Sequence, residues 1–538
     1  MKCVEASRRL KAGVSGLVLL SALATMRVQA APAAASPNRD SFRLAGIFGD
    51  NMVLQQGLAT PVWGWARPGQ GVAVTLGGQT ARGTAGADGK WTVQLKGLKR
   101  SDTPAVLTVK GPGVLACKNV LVGDVWLGSG QSNMEFAMRD IANAPEEIAE
   151  AKYPSIRLFT VPRVMKAQRA YDVKGKWVEC RPETVRDFSA VLYRFGREIH
   201  RQTRMPMGLI HSSVGGTRIE LWTAPEGFES IPEFAHLATS IRDVDQRYRE
   251  TLPMRLAELE AWVAGSKAAL AEGNPVPLTP DWPDHPQPSD GASVLYDGMI
   301  YPLVPFGIRG VVWYQGEWNG GEDEIYARRM RALIQGWRKA WGNEDLPFYY
   351  VQLARMPQKD SLPWQGDGLS PTRDAQRRSL AIPHTGMAVI IDLEGDAGWH
   401  PRNKQDVAKR LSLWALRNEY GQKDLVVSGP LFKDIAVEGA KIRIHFDSVG
   451  TGLMIATKTG LEPVKLTPSE PLRNFAVAGA DRKWVLANAV FDGNDVVLSS
   501  LEVPNPVAVR YAYCQDPTGC NLYNKEGLPA SPFRTDNW

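Results

Sequence analysis

Ser132 stands in the run Leu127-Gly128-Ser129-Gly130-Gln131-Ser132-Asn133-Met134. Before it, Val120, Leu121, Val122, Val125, Trp126 and Leu127 read as a short strand buried in an α/β sheet. A serine at the C-terminal end of such a strand lies where open α/β sheets place their ligands. Gly128 and Gly130 let the backbone turn sharply and leave the tip uncrowded. The α/β-hydrolase elbow needs glycine two residues after its serine. Met134 fills that place here, so a different hydrolase class is required.

A serine nucleophile needs a base, an orienting acid and oxyanion donors. The chain has seven histidines. His236 and His285 fall in a charged and proline-rich stretch, His445 in a strand near the C-terminus, and His384 in a loop after proline. His200 ends an amphipathic helix, a common place for a structural imidazole. His400 differs. It follows the apolar run 387–391 and an acidic loop with Asp392, Glu394 and Asp396, and it precedes Pro401 at a helix start. Strand end, nearby carboxylates and a loop setting suit a general base.

Two more segments can complete a site. Ser212-Ser213-Val214-Gly215-Gly216-Thr217 follows an apolar strand, and its glycines can turn backbone N–H groups toward an oxyanion. Val311-Val312-Trp313-Tyr314-Gln315-Gly316-Glu317-Trp318-Asn319 is again a strand and then a polar loop. Gln315 or Asn319 could donate to the oxyanion, and Glu317 could orient the histidine. Gln131, Trp313 and Arg373 are candidates for substrate contact, since aromatics beside polar groups suit a sugar ring.

These residues need elements to hold them. At 538 residues the chain exceeds one core, and about two to four domains are expected. Residues 40–118 carry short strand-like runs separated by Gly, Pro and Asp turns, the spacing of a β-sandwich. Residues 119–420 alternate strand and helix signals, which predicts an α/β domain with a parallel sheet. The clearest helix follows Pro401, with Val407, Leu411, Trp414 and Ala415 on one face and Gly421 beyond its end. Within this stretch, residues 224–292 read as an insertion with a helical element and a proline-rich loop. Residues 425–538 return to β signals.

Composition sets the class. The 17 tryptophans and the 44% hydrophobic content belong to packed globular domains. The first 30 residues hold five basic side chains and one acid, +4 of the formal +6, so the remainder carries about +2. With no Lys/Arg block interleaved with aromatics, a nucleic-acid partner is not expected. Residues 1–30 read as a secretory signal: a basic start, an apolar core over 12–24 and Val28-Gln29-Ala30 for cleavage. That core is too short to span a membrane, and no stable span is expected after cleavage, so the chain is expected in a periplasm or outside the cell. Cys514 and Cys520 flank a turn-rich loop that could close into a disulfide there, while Cys117 and Cys180 read as buried thiols. No CxxC or HExxH spacing occurs, so no zinc site is expected.

Taken together, Gly130-Gln131-Ser132-Asn133-Met134, Val214-Gly215-Gly216-Thr217, Leu295-Tyr296-Asp297-Gly298-Met299-Ile300, Trp313-Tyr314-Gln315-Gly316-Glu317 and His400-Pro401-Arg402-Asn403-Lys404 resemble the SGNH hydrolases, and more closely the sialate O-acetylesterase family. Met52-Val53-Leu54-Gln55, Asn521-Leu522-Tyr523-Asn524 and Gly527-Leu528-Pro529-Ala530 extend the resemblance over nearly all of the chain after the signal. The resemblance implies a three-layer SGNH core between β-rich domains and a serine esterase that removes O-acetyl groups from sugars without metal or cofactor. It implies Ser132 as nucleophile and His400 as base. The Ser132 N–H, a Gly215 or Gly216 N–H, and a side chain of the Gln315–Asn319 loop would form the oxyanion hole. The third triad member stays open. Many relatives place aspartate three residues before the histidine, where Ala397 stands, or two before, where Gly398 stands. Asp396 and Glu317 are the candidates. Asp297, Arg373 and Gln376 would line or buttress the site. Two other readings remain: an acetylesterase of xylan or xyloglucan fragments, and a non-catalytic sugar-binding protein on an inactive core.

Overall fold

The computed structural model describes residues 42–280, 291–393 and 399–538. Residues 1–30, expected to be a signal, and His285, Glu394 and Asp396 lie outside the described residues.

The centre is a sheet whose core strands are β1 (Val114–Gly130), β2 (Tyr153–Thr160), β3 (Trp177–Cys180), β4 (Met207–Ser213), β5 (Gly310–Tyr314), β6 (Phe348–Val351) and β7 (Thr385–Ala388). Their order is β3-β2-β4-β1-β5-β6-β7. All neighbours run parallel except the β3–β2 pair at one edge. The chain first builds outward on one side of β1 and then, from β5 on, on the other. That reversal opens a crevice at the C-terminal end of β1, where Ser132 follows.

Alternation along the strands sorts side chains to two faces. Trp126, Val312, Tyr314, Tyr349 and Val351 pack with Leu192, Phe195, Leu411 and Ala415 of helices α1 (Ala190–Thr203) and α4 (Lys404–Asn418). Val125, Leu127, Val311, Trp313, Phe348 and Tyr350 pack with Met330, Leu333 and Trp337 of α3 (Glu324–Trp341). The result is a helix–sheet–helix layering, and burial on both faces explains the continuous apolar strands.

β1 is 17 residues long and serves two sheets. Its first part pairs antiparallel with Ser101–Lys110, in the same β-rich region as Thr60–Trp65 and Lys90–Leu95. From Asp124 it runs parallel to β4, and from Trp126 to β5. The strand thus passes unbroken through the 118/119 boundary. Asp124, fully buried where the partners change, meets Arg309 Nη2 at 3.0 Å and Gln55 Nε2 at 2.7 Å. A charge so placed has to be paired.

In the 224–292 stretch, helix α2 (Ala235–Ala271) buries Leu237, Ala238, Ile241 and Val244 near its start and is largely exposed beyond Pro253. The C-terminal region forms three small antiparallel sheets around one apolar core. Among the described residues no helix is long and apolar enough to cross a membrane. Cys514 and Cys520 are free thiols, not a disulfide. Burial raises both, Cys514 to about 11.

Candidate active site

The turn after β1 is built on Gly130. Its φ is +136°, and a Cβ there would stand 2.1 Å from the Tyr314 carbonyl oxygen of β5. Only glycine fits both the angle and the close approach. Gln131 N–H then donates to that same oxygen at 3.0 Å, and Ser132 opens a four-residue helical turn. Among the described residues neither the Ser132 nor the Gly216 N–H meets an acceptor, as expected at a helix start and a turn.

His400 Nε2 lies 2.8 Å from Ser132 Oγ, although 268 residues separate them in sequence. The ring is half-buried and lies nearly parallel to Phe136. Burial, and then the neighbouring Lys404, hold its pKa below the ordinary 6.5. A neutral imidazole at this distance can take the serine proton.

Several expected donors prove to be engaged elsewhere. Gly215 packs against Ser132, but its N–H donates to Glu135 Oε2 at 2.9 Å, and Glu135 also pairs with Arg163. Gln315 gives its amide hydrogens to Thr217 O and Asn319 Oδ1 and receives the Tyr326 hydroxyl. Asn319 donates to Glu220 and Glu322 and accepts from Ile219 N and Gln315. Both amides are fully buried and brace the loops; neither is free for an oxyanion. Trp313 is 1% exposed and packs against Trp222 and Trp337, so it belongs to the core and not to a sugar platform. Arg373 is not a substrate contact either. Wholly buried, it donates to the carbonyls of Leu353, Ala354, Cys514 and Gln515 and fastens the C-terminal region to the sheet. Gln376 likewise braces Leu353 N and the Gln315 and Val351 carbonyls. Asp297 lines a separate cleft of about 640 Å³ with Arg169, Glu226 and Tyr301.

Gln131 stays beside the serine, accepting from Trp318 N at 3.4 Å. Glu317 is buried, and burial raises its pKa. Its Oε1 accepts from Asn133 Nδ2 at 2.5 Å, and among the described residues its Oε2 meets no side-chain hydrogen-bond partner. No hydrogen bond joins it to His400 among the described residues. Asn133 also donates to the Trp399 carbonyl at 2.8 Å and accepts from Lys404. Burial pushes Lys404 down to about 7, while the Glu317 charge opposes that shift.

Sequence reasoning did not single out Asn133, Lys404, Trp318 or Trp399. Trp318, 59% exposed, donates its N–H to Gln131 beside Ser132, and Trp399, 39% exposed, directly precedes His400. Their position in turns outside the strands was the available signal.

Comparison with known proteins finds carbohydrate esterases. A family described as carbohydrate esterase, sialic acid-specific acetylesterase, matches residues 291–407. The sialate O-acetylesterase of Rattus norvegicus is 32% identical over 534 residues, 91% of this chain and 94% of that one. That of Mus musculus is 30% identical over 536 residues, with the same shares. The crystal structure of a carbohydrate acetylesterase from Xanthomonas citri is 33% identical and superposes with a TM-score of 0.73, covering 92% of this chain and 100% of that one.

Proposed function

This chain belongs to the sialate O-acetylesterase family, and from that premise we propose that it hydrolyses O-acetyl groups on sugars through an acetyl-enzyme, with Ser132 as nucleophile and His400 as base. The observation that carries the reading is the 2.8 Å contact between His400 Nε2 and Ser132 Oγ at the C-terminal end of β1. His400 takes the proton as Ser132 attacks the acetyl carbonyl. The tetrahedral oxyanion turns toward the unengaged N–H groups of Ser132 and Gly216, each worth about 3 kcal/mol when well placed. The imidazolium then gives its proton to the departing sugar hydroxyl, and water, activated by His400, releases acetate. The layered core supports assignment to the SGNH hydrolases. The signal-like residues 1–30 support export to a periplasm or the exterior.

The carboxylate behind His400 is Asp396 or Glu317, and two variants separate them. Asp396→Asn or Glu317→Gln, whichever removes the orienting acid, should lower kcat yet leave more activity than Ser132→Ala, since the oxyanion donors remain. If neither lowers the rate, both assignments fall.

A second substrate reading has its own support. Arg373 is occupied by carbonyls, and Arg218 by Glu220 and Glu322, so neither is free for a sugar carboxylate. That favours a neutral acetylated xylan or xyloglucan fragment. A purely sugar-binding role leaves the Ser132–His400 contact without a purpose. Acetate release from O-acetylated sialic acid and from acetylated xylo-oligosaccharides, by wild type and Ser132→Ala, tests all three. Loss in the variant establishes the esterase, and the preferred substrate chooses the sugar. No release from either, by folded wild-type protein, refutes the proposal.

A further inference from the structure

Behind the Ser132–His400 pair lies a charge that the steps above do not use. Lys404, in the first turn of α4, is fully buried. Its Nζ donates to Asn133 Oδ1 and stands 4.7 Å from the Phe136 ring centre and 5.3 Å from that of Tyr314. Aromatic faces hold a cation without competing for its hydrogen bond. Asn133 spends its own donors on Glu317 and on the carbonyl of Trp399, the residue before His400. One amide thus ties together the residue after the nucleophile, the residue before the base, and the Glu317 turn.

We propose that Lys404 is a positioning residue: it sets which way the Asn133 amide faces and so keeps His400 within reach of Ser132. The inference rests on the roles given to those two residues above. The two ends of an amide are alike in shape and opposite in polarity. With an ammonium against Oδ1, the NH₂ must face the Glu317 carboxylate and the Trp399 carbonyl. A flipped amide sets donor against donor at Lys404 and acceptor against acceptor at the other two contacts, with the Asn133, Glu317 and Lys404 side chains all buried. A neutral side chain of similar length removes that bias. The tether on Trp399 is then weakened, and with it the placement of His400.

Kinetics of acetate release by the full chain test this, with Ser132→Ala in parallel and circular dichroism to confirm folding. Lys404→Met should lower kcat about 10- to 100-fold, the cost of a misplaced catalytic group, with KM within about twofold. Asn133→Asp keeps an acceptor for Lys404 but cannot donate to Trp399, and it should show the same split. The double variant should be no worse than the poorer single, because both act through one chain of contacts. Lys404→Arg, which keeps the cation, should recover part of the loss. Wild-type kcat in Lys404→Met, a change in KM alone, or losses that multiply in the double variant would overturn the inference. If Lys404→Met does not fold, Asn133→Asp decides by the same split. Activity retained by Ser132→Ala would instead sink the nucleophile assignment, whatever Lys404 does.

Discussion

Gly130 leaves the nucleophile turn no alternative residue, because alanine would meet both an unfavourable φ and the Tyr314 carbonyl. Gly130→Ala should cut acetate release at least about 100-fold and destabilise the fold by about 3 kcal/mol. Wild-type rate and unfolding midpoint in that variant would refute the geometry. As the proposed base, His400 should set the pH response. The base must be neutral, so kcat/KM should fall as pH falls through its pKa, with a midpoint below 6.5 because burial and Lys404 both disfavour the charged ring. Lys404→Met removes one of those causes, so any residual activity should show a midpoint moved upward. A midpoint at or above 6.5 in the wild type would show that burial and Lys404 do not govern the ring.

Strand and helix placement was legible in the sequence because apolar periodicity and end signals state it directly. The helix expected after Pro401 runs Lys404–Asn418, capped by the Asn403 side chain accepting from Asp406 N at 3.0 Å. Ser132 and His400 were legible for the same reason, since both follow buried strands. What lay hidden was which polar side chains are already spent. Gln315 and Asn319 sit in a loop that looks available, yet their partners are Thr217, Ile219 and Glu220, about a hundred residues away. Period two also decides the tryptophans: on β5 Trp313 points to α3, and the exposed ring is Trp318, past the strand end. Trp318→Ala should raise KM about fivefold and leave kcat nearly unchanged, the loss of one aromatic face. An unchanged KM would remove Trp318 from the binding surface.

Across the whole molecule, the C-terminal sheets are fastened through side chains and a few loop backbone bonds, such as Tyr513 N to Pro363 O and Gly366 N to Tyr513 O. Arg373 joins the Leu353 and Ala354 carbonyls to those of Cys514 and Gln515; Gln515 O keeps the Met356 N–H, so Arg373→Met strands the other three acceptors and should cost at least about 3 kcal/mol in urea unfolding. An unchanged midpoint would show that the joint does not depend on it. Asp297 gives stability a pH slope. Burial raises its carboxyl from 3.8 to about 7, so the native state holds the proton more tightly than the unfolded chain. Its contribution is therefore full below about pH 4 and is lost as pH rises through about 7. Asp297→Asn should flatten that slope in thermal unfolding from pH 4 to 8, and an unaltered slope would assign it to other groups. The N-terminal sheets are attached in another way, by β1 itself, whose hydrogen-bond ladder runs from Ser101–Lys110 to within two residues of Ser132. This makes the two ends of the chain unequal as units of exchange. The C-terminal region can in principle be swapped or redesigned at a seam of side-chain and loop contacts that no shared strand crosses. The N-terminal sheets cannot be cut out as a cassette, because the cut would fall within the strand that leads into Ser132. Shuffling by recombination or by engineering is open at one end of this enzyme and closed at the other.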